Sequence, residues 1–457
     1  MTEPRVATIK PENYWTANGW QHSPCLRIDQ GRLLPQSRPD PNSETLNGYV
    51  LPGLCNAHSH AFQRAIAGRT EHRTAARDSF WSWRETMYQF AGRIGPDELR
   101  AIAAQLYVEM LEAGYTWVAE FHYLHHQPDG QPYADPAAMA LALIEAAAET
   151  GIGMTLLPVL YQTGGFDARP LNERQRRFWF SVEGLLALCQ RLRGLESDRL
   201  IVGSALHSLR AVAPAVLSEF LAAESAPQRP LHIHIAEQCA EVDECLALRG
   251  QTPVAWLLDH AAVDQHWHLV HATHLSDAEA LGIVQSGANV VLCPTTEANL
   301  GDGVFPLQPY LDAGGSFAIG SDSHISVSPV EELRWLEYGQ RLTKRQRNVA
   351  ASALQPSVGT RLFDAAWRGG WRAAGVADAD DAPGSQALAA DLIVLDHQHP
   401  QFAASDLAQV LDTWLFAGNQ NLVRDVMSGG RWCVREGRHQ QRDVIAARYR
   451  RVMRGLR

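Results

Sequence analysis

The sequence predicts an α/β fold: a (β/α)8 TIM-like barrel carrying a small β-sandwich built from both chain ends. Three observations predict it. Eight short apolar segments alternate with helix-forming stretches from residue 49 onward, the signature of βαβ units around a parallel sheet. Short alternating segments separated by turn residues occupy both ends of the chain. Histidine, aspartate and glutamate recur at the C-terminal ends of several predicted strands, the face of such a barrel that carries active sites.

Composition bounds the reading before any motif does. At 457 residues the chain can bury a large core and hold one big domain plus a smaller one. A hydrophobic fraction of 46% and a charged fraction of 20% fit an ordinary globular protein. The net charge of −10 argues against a general nucleic-acid binder, so local arginines must hold any anionic ligand. Residues 1–15 show no apolar signal core, and the apolar run at 137–148 is too short to span a membrane and contains Glu145. Seven cysteines without CxxC spacing fit free thiols in a reducing compartment. The expectation is a cytoplasmic protein with neither membrane nor nucleic-acid partners.

Taken in order, residues 1–48 read as the first part of the β-sandwich, with turns at Asn18-Gly19 and Pro39-Asp40-Pro41. The barrel is expected over 49–384. Its strands are predicted at 49–56, 116–123, 153–161, 200–206, 231–236, 268–272, 289–294 and 316–321. Helices are predicted at 96–113, 136–150, 212–223, 252–259 and 276–285, the last with Ser276 as N-cap. Insertions after the first strand (64–90, with Trp81 and Trp83) and after the third (162–180, with Gly164-Gly165) would sit over the barrel mouth as lids. A polar linker at 377–385 leads to the second part of the sandwich over 385–457, which ends in an arginine-rich helix from Gln441.

The chemistry-bearing residues gather at strand ends. His58 and His60 close the first strand, and residues two apart on a strand point to one side. Two imidazoles so placed are a start for a site that holds zinc or a similar borderline cation. The fifth strand ends in His232-Ile233-His234-Ile235-Ala236-Glu237, the sixth carries His271, and the eighth ends in Ser321-Asp322-Ser323-His324. A single core histidine is more often a satisfied hydrogen-bonder than a ligand; four strand ends with such groups at one barrel mouth are not.

The stretch PGLxNAHSH at 52–60, HxxE at 234–237, the histidine at 271 and SDSH at 321–324 resemble the amidohydrolase superfamily, specifically its deaminase branch. The resemblance spans nearly the whole chain. It implies His58, His60, His234 and Asp322 as metal ligands, with Glu237, His271 and Asp322 as catalytic groups. Many binuclear members bridge two metals with a carboxylated barrel lysine. The sequence has only Lys10 and Lys344, neither on a predicted barrel strand, so one Zn²⁺ per subunit is expected. Zinc would activate a water, Asp322 would accept its proton, His271 would polarise the C=N bond, and Glu237 would pass a proton to departing ammonia.

For the substrate, Arg84 and Arg210 offer guanidinium forks suited to carboxylates, implying a small anionic molecule. The segments FHYLHH at 121–126, HSLR at 207–210 and NERQRRF at 172–178, with Gln63, resemble the formimidoylglutamate deiminases of histidine degradation. That resemblance implies hydrolytic deimination of N-formimino-L-glutamate to N-formyl-L-glutamate and ammonia. It places Arg84 and Arg210 on carboxylates, adds Gln63, Tyr123 and His207 as substrate contacts, and suggests a homodimer. The alternative is another deaminase of the superfamily, acting on a guanine-, pterin- or adenosylhomocysteine-like ring.

Overall fold

The computed structural model describes residues 7–36, 40–72, 80–226, 228–376 and 388–456. Eight parallel strands form its centre: β1 (Leu54–Ser59), β2 (Tyr115–His122), β3 (Gly153–Leu160), β4 (Ser204–Ser208), β5 (Leu231–Ile235), β6 (Trp267–His271), β7 (Asn289–Leu292) and β8 (Phe317–Ile319). Each pairs with the next. A parallel bridge between Ser59 and Asp322, with the Asp322 amide donating to the His58 carbonyl at 3.0 Å, joins the two edges. The first and last strand ends therefore meet where the candidate ligands lie. Every residue of β2 and β3 is buried, as expected for strands covered on both faces.

Two predicted strands are divided. The segment at 49–56 is two strands: Glu44–Pro52 belongs to the terminal sheet, and β1 begins only at Leu54. Gly53 sits at the break because the Thr116 side chain comes so close that a Cβ would lie 2.2 Å from it. The first unit thus runs to Pro52, past the expected boundary at 48; the linker at 377–385, with the other boundary, lies outside the described residues. The segment at 200–206 likewise splits at Gly203, where a Cβ would meet the Pro230 carbonyl at 2.6 Å.

Helices follow the predicted places with small shifts set by local chemistry. Proline at the first helical position starts Pro96–Ala113, Pro214–Ala223 and Pro253–His260. Ser276 caps Asp277–Ser286 in a capping box with Glu279. Glycines in the left-handed conformation end Pro96–Ala113 and Ala138–Thr150, at Gly114 and Gly151. No helix among the described residues is long and apolar enough to cross a membrane.

Strands from both chain ends form one ten-stranded sheet. Leu388–Ala389 pairs with Arg32 and Leu33, while Leu392–Leu395 pairs with residues 49–52. One segment thereby joins both ends of a run of strands, and the sheet closes on its own core of Ile9, Tyr14, Ile28, Val50, Leu392 and Val394. The predicted sandwich is this single closed sheet. It is tied to the barrel by Arg199, which pairs with buried Asp391 at 3.0 Å and lies over the Trp117 ring. The terminal helix, Arg442–Gly455, buries Ile445 and Met453, and its Arg448 reaches Glu149 at 2.8 Å.

Candidate active site

The site is built at the C-terminal ends of the strands. Alternation along β1 turns His58 and the following His60 inward and Ser59 outward. His234, from β5, completes a triangle: the three Nε2 atoms lie 3.0–3.3 Å apart. Asp322, beyond β8, brings Oδ1 to 3.4 Å from His60 Nε2 and 3.7 Å from His58 Nε2. Donors on a tetrahedron with zinc–nitrogen bonds of ~2.1 Å stand ~3.4 Å apart, so this spacing fits one ion of that size.

The orientation of the rings fits as well. His60 donates Nδ1–H to the Phe121 carbonyl at 3.0 Å, and His234 donates Nδ1–H to the His207 carbonyl at 2.8 Å. Both Nε2 lone pairs are thereby aimed at the common centre. The Phe121 ring packs against all three imidazoles. Burial pushes His60 down to about 3 and His58 and His234 well below the ordinary range, so all three are neutral, as ligands must be. Lys10 lies in the terminal sheet and Lys344 ends the helix Pro329–Lys344; neither reaches this centre.

Behind the candidate ligands, Glu120 of β2 straps the segment that carries His58 and His60. It accepts from Ser59 Oγ and the Ala61 amide, each at 2.6 Å, and from Tyr107 at 3.2 Å. Beside the ligands stands His271, ending β6, with Nε2 3.8 Å from Asp322 Oδ2 and 4.0 Å from Glu237 Oε1. Burial alone would lower its pKa, but Glu237, Glu297 and Asp322 around it raise it to about 10; a divalent ion on Asp322 would cancel part of that field. Ala236, His271 and Asp322 all have positive φ (51°, 69° and 45°), a conformation that costs non-glycine residues energy and marks strand ends shaped for a site.

One cavity opens onto these groups, and its wall includes every predicted substrate residue: Gln63, Arg84, Tyr123, His207 and Arg210. Gln63 donates to the Tyr123 hydroxyl at 2.9 Å. Arg210 is buried between Glu237 (3.8 Å) and Glu241 (4.0 Å), while Arg84 lies over the Tyr88 ring. Both insertions reach the wall, through Trp83 and Tyr88 from the first and Phe178 from the second. The side chain of Trp81 lies outside the described residues.

Several participants were not visible as such in the sequence. Glu120, Glu241 and Glu297 are buried carboxylates within strands or helices, with no motif around them. Tyr88 and Tyr161 line the cavity, bound to Gln175 at 3.4 and 2.9 Å. Arg177, in the arginine-rich insertion, is a structural pin: it is buried and donates to the carbonyls of Ala91, Ile94 and His126.

Comparison with known proteins agrees with this geometry. The Amidohydrolase family profile matches residues 49–433. The chain belongs to the amidohydrolase family. It is 49% identical over 452 residues to a formimidoylglutamate deiminase of Pseudomonas aeruginosa, covering 98% of this chain and 99% of that one. An 8-oxoguanine deaminase of the same species is 26% identical, with 96% of each chain covered. The crystal structure of an amidohydrolase from Brucella melitensis superposes with a TM-score of 0.91 at 41% identity, covering 98% of this chain and 99% of that one. An adenosine deaminase from Xanthomonas campestris with bound zinc shares the fold, with a TM-score of 0.80 at 20% identity and 99% of each chain covered.

Proposed function

We propose that this amidohydrolase hydrolyses the C=N bond of N-formimino-L-glutamate, giving N-formyl-L-glutamate and ammonia. The observation that carries the reading is the 49% identity, over nearly the full length of both chains, to a formimidoylglutamate deiminase. The cavity supports it independently. Two guanidinium groups, Arg84 and Arg210, face a space that also holds His207, Tyr123 and Gln63, a wall suited to carboxylates.

His58, His60, His234 and Asp322 would hold one Zn²⁺, which supplies a Lewis acid and an activated water close to neutral pH. Asp322 accepts a proton from the attacking water on the oxygen turned away from the ligands. His271, through Nε2, donates to the developing centre at the formimino group. Glu237, beside His271 and Arg210, carries a proton to the nitrogen that leaves as ammonia. The arginines and His207 fix the glutamate moiety so that the formimino carbon meets the water.

The deciding experiment is ammonia release from N-formimino-L-glutamate by metal-loaded protein, with the organic product identified and 8-oxoguanine run beside it. N-formyl-L-glutamate as product supports the reading. Turnover of the base alone would keep the barrel and the metal centre and discard the carboxylate pocket.

A further inference from the structure

We propose that Glu297 is the positioning residue of His271, holding its Nε2 toward the reacting C=N bond. Only the kinetic arm of the test rests on the deiminase reading.

Glu297 lies in the short helix Pro294–Leu300 after β7 and is 4% exposed. A buried carboxylate needs partners, and its Oε1 has two: the Cys293 amide at 2.9 Å and His271 Nδ1 at 3.3 Å. Among the described residues His271 is its sole ion-pair partner; no arginine or lysine reaches it. The opposite nitrogen of the ring, Nε2, faces Asp322 and Glu237, one on the metal side and one on the leaving-group side. With Nδ1–H given to Glu297, the ring angle is fixed and the Nε2–H keeps its direction toward the site. Without that acceptor the ring can turn about the broad Cβ–Cγ torsion, and Nε2 loses its aim.

The same short helix also steadies the other proton-carrying group. The Asp302 amide donates to the Glu297 carbonyl at 2.9 Å, and Gln238, the residue after Glu237, donates its side-chain amide to Asp302. One element after β7 therefore braces His271 and the turn that carries Glu237. The competing account is that Glu297 serves only its own helix through the Cys293 amide. The readouts separate the two: a role confined to the helix moves Tm and metal content, whereas positioning of the ring moves kcat and the His271 Nδ1–H signal, with glutamine keeping the acceptor that leucine removes.

The test compares Glu297→Leu and Glu297→Gln in the metal-loaded enzyme. Glu297→Leu is expected to lower kcat by about 10- to 100-fold with KM, metal content and Tm near wild type, and Glu297→Gln to recover most of the loss. In protein labelled with ¹⁵N-histidine, a solvent-protected Nδ1–H signal, assigned by its absence from His271→Gln, should persist in Glu297→Gln and vanish in Glu297→Leu. This arm needs no substrate and stands even if formiminoglutamate is not turned over. A kcat within twofold of wild type for Glu297→Leu, a Glu297→Gln as impaired as Glu297→Leu, a loss that tracks metal content or Tm, or an unchanged Nδ1–H signal would each overturn the assignment.

Discussion

His234 donates its Nδ1–H to the backbone carbonyl of His207 at 2.8 Å, while the His207 side chain lines the cavity. One residue thus supports the candidate metal centre through its main chain and lines the pocket with its ring. The two services should separate on mutation. His207→Gln keeps the carbonyl and is expected to retain full metal content while raising KM by about 10- to 150-fold, the loss of one hydrogen bond to a charged ligand. Metal loss in that variant would show that the ring, not the carbonyl, supports His234.

Glu120 offers the complementary case, a residue that touches no ligand ring yet holds the ligand segment. Its carboxylate ties Ser59 and the Ala61 amide, which flank His60. Glu120→Ala should weaken metal affinity by about 10- to 100-fold, measured by competition with a chelator, and lower Tm in the metal-free form. An affinity equal to wild type would mean that the His58–His60 segment is rigid without the strap.

The convergence of the four candidate ligands was legible because strand alternation and strand-end position are both written in local sequence: HSH, HIHIAE and SDSH each announce a direction as well as a residue type. The same alternation sorts the remaining histidines of that region. In FHYLHH, Phe121 and Tyr123 face the site, so His122 points the other way; His125 gives Nε2 to the Val159 carbonyl, and His126 packs on Phe180. None of these three joins the candidate metal centre. Glu297 was hidden for a different reason. Residues 294–300 continue an apolar strand into a helix with a polar pattern, and only the return of the barrel brings them to His271. The split at Gly53 was equally invisible, because its cause is Thr116 on the neighbouring strand.

Two buried histidines outside the candidate ligand set make the fold acid-sensitive in a defined window. Burial, helped by Arg177, pushes His122 down to about 3, and burial pushes His232 down to about 4. Their ordinary value is 6.5, so below it the unfolded chain binds protons that the native chain refuses. Their contribution is complete above that pH and is lost as pH falls toward 4, by up to about 1.4 kcal/mol per pH unit for each proton. Urea unfolding of the metal-free protein at pH 7, 6 and 5 reads the slope. His122→Leu should flatten it by up to one proton; an identical slope would show that His122 is already protonated in the native state.

Arg210 is asked to do two things, and they can be told apart. Its guanidinium lines the cavity, yet it is also the cation beside Glu241, which is 2% exposed and whose other oxygen accepts from the Glu237 amide at 3.1 Å. Arg210→Met should raise KM by about 10- to 150-fold if the guanidinium binds a substrate carboxylate. It should also lower Tm, because Glu241 is left as an unpaired buried charge. Adding Glu241→Gln removes that charge and should restore much of Tm without restoring KM. If KM recovers together with Tm, the arginine acts by holding the Glu237 turn in place and the carboxylate is bound elsewhere; if KM never moved, Arg210 does not face the substrate at all.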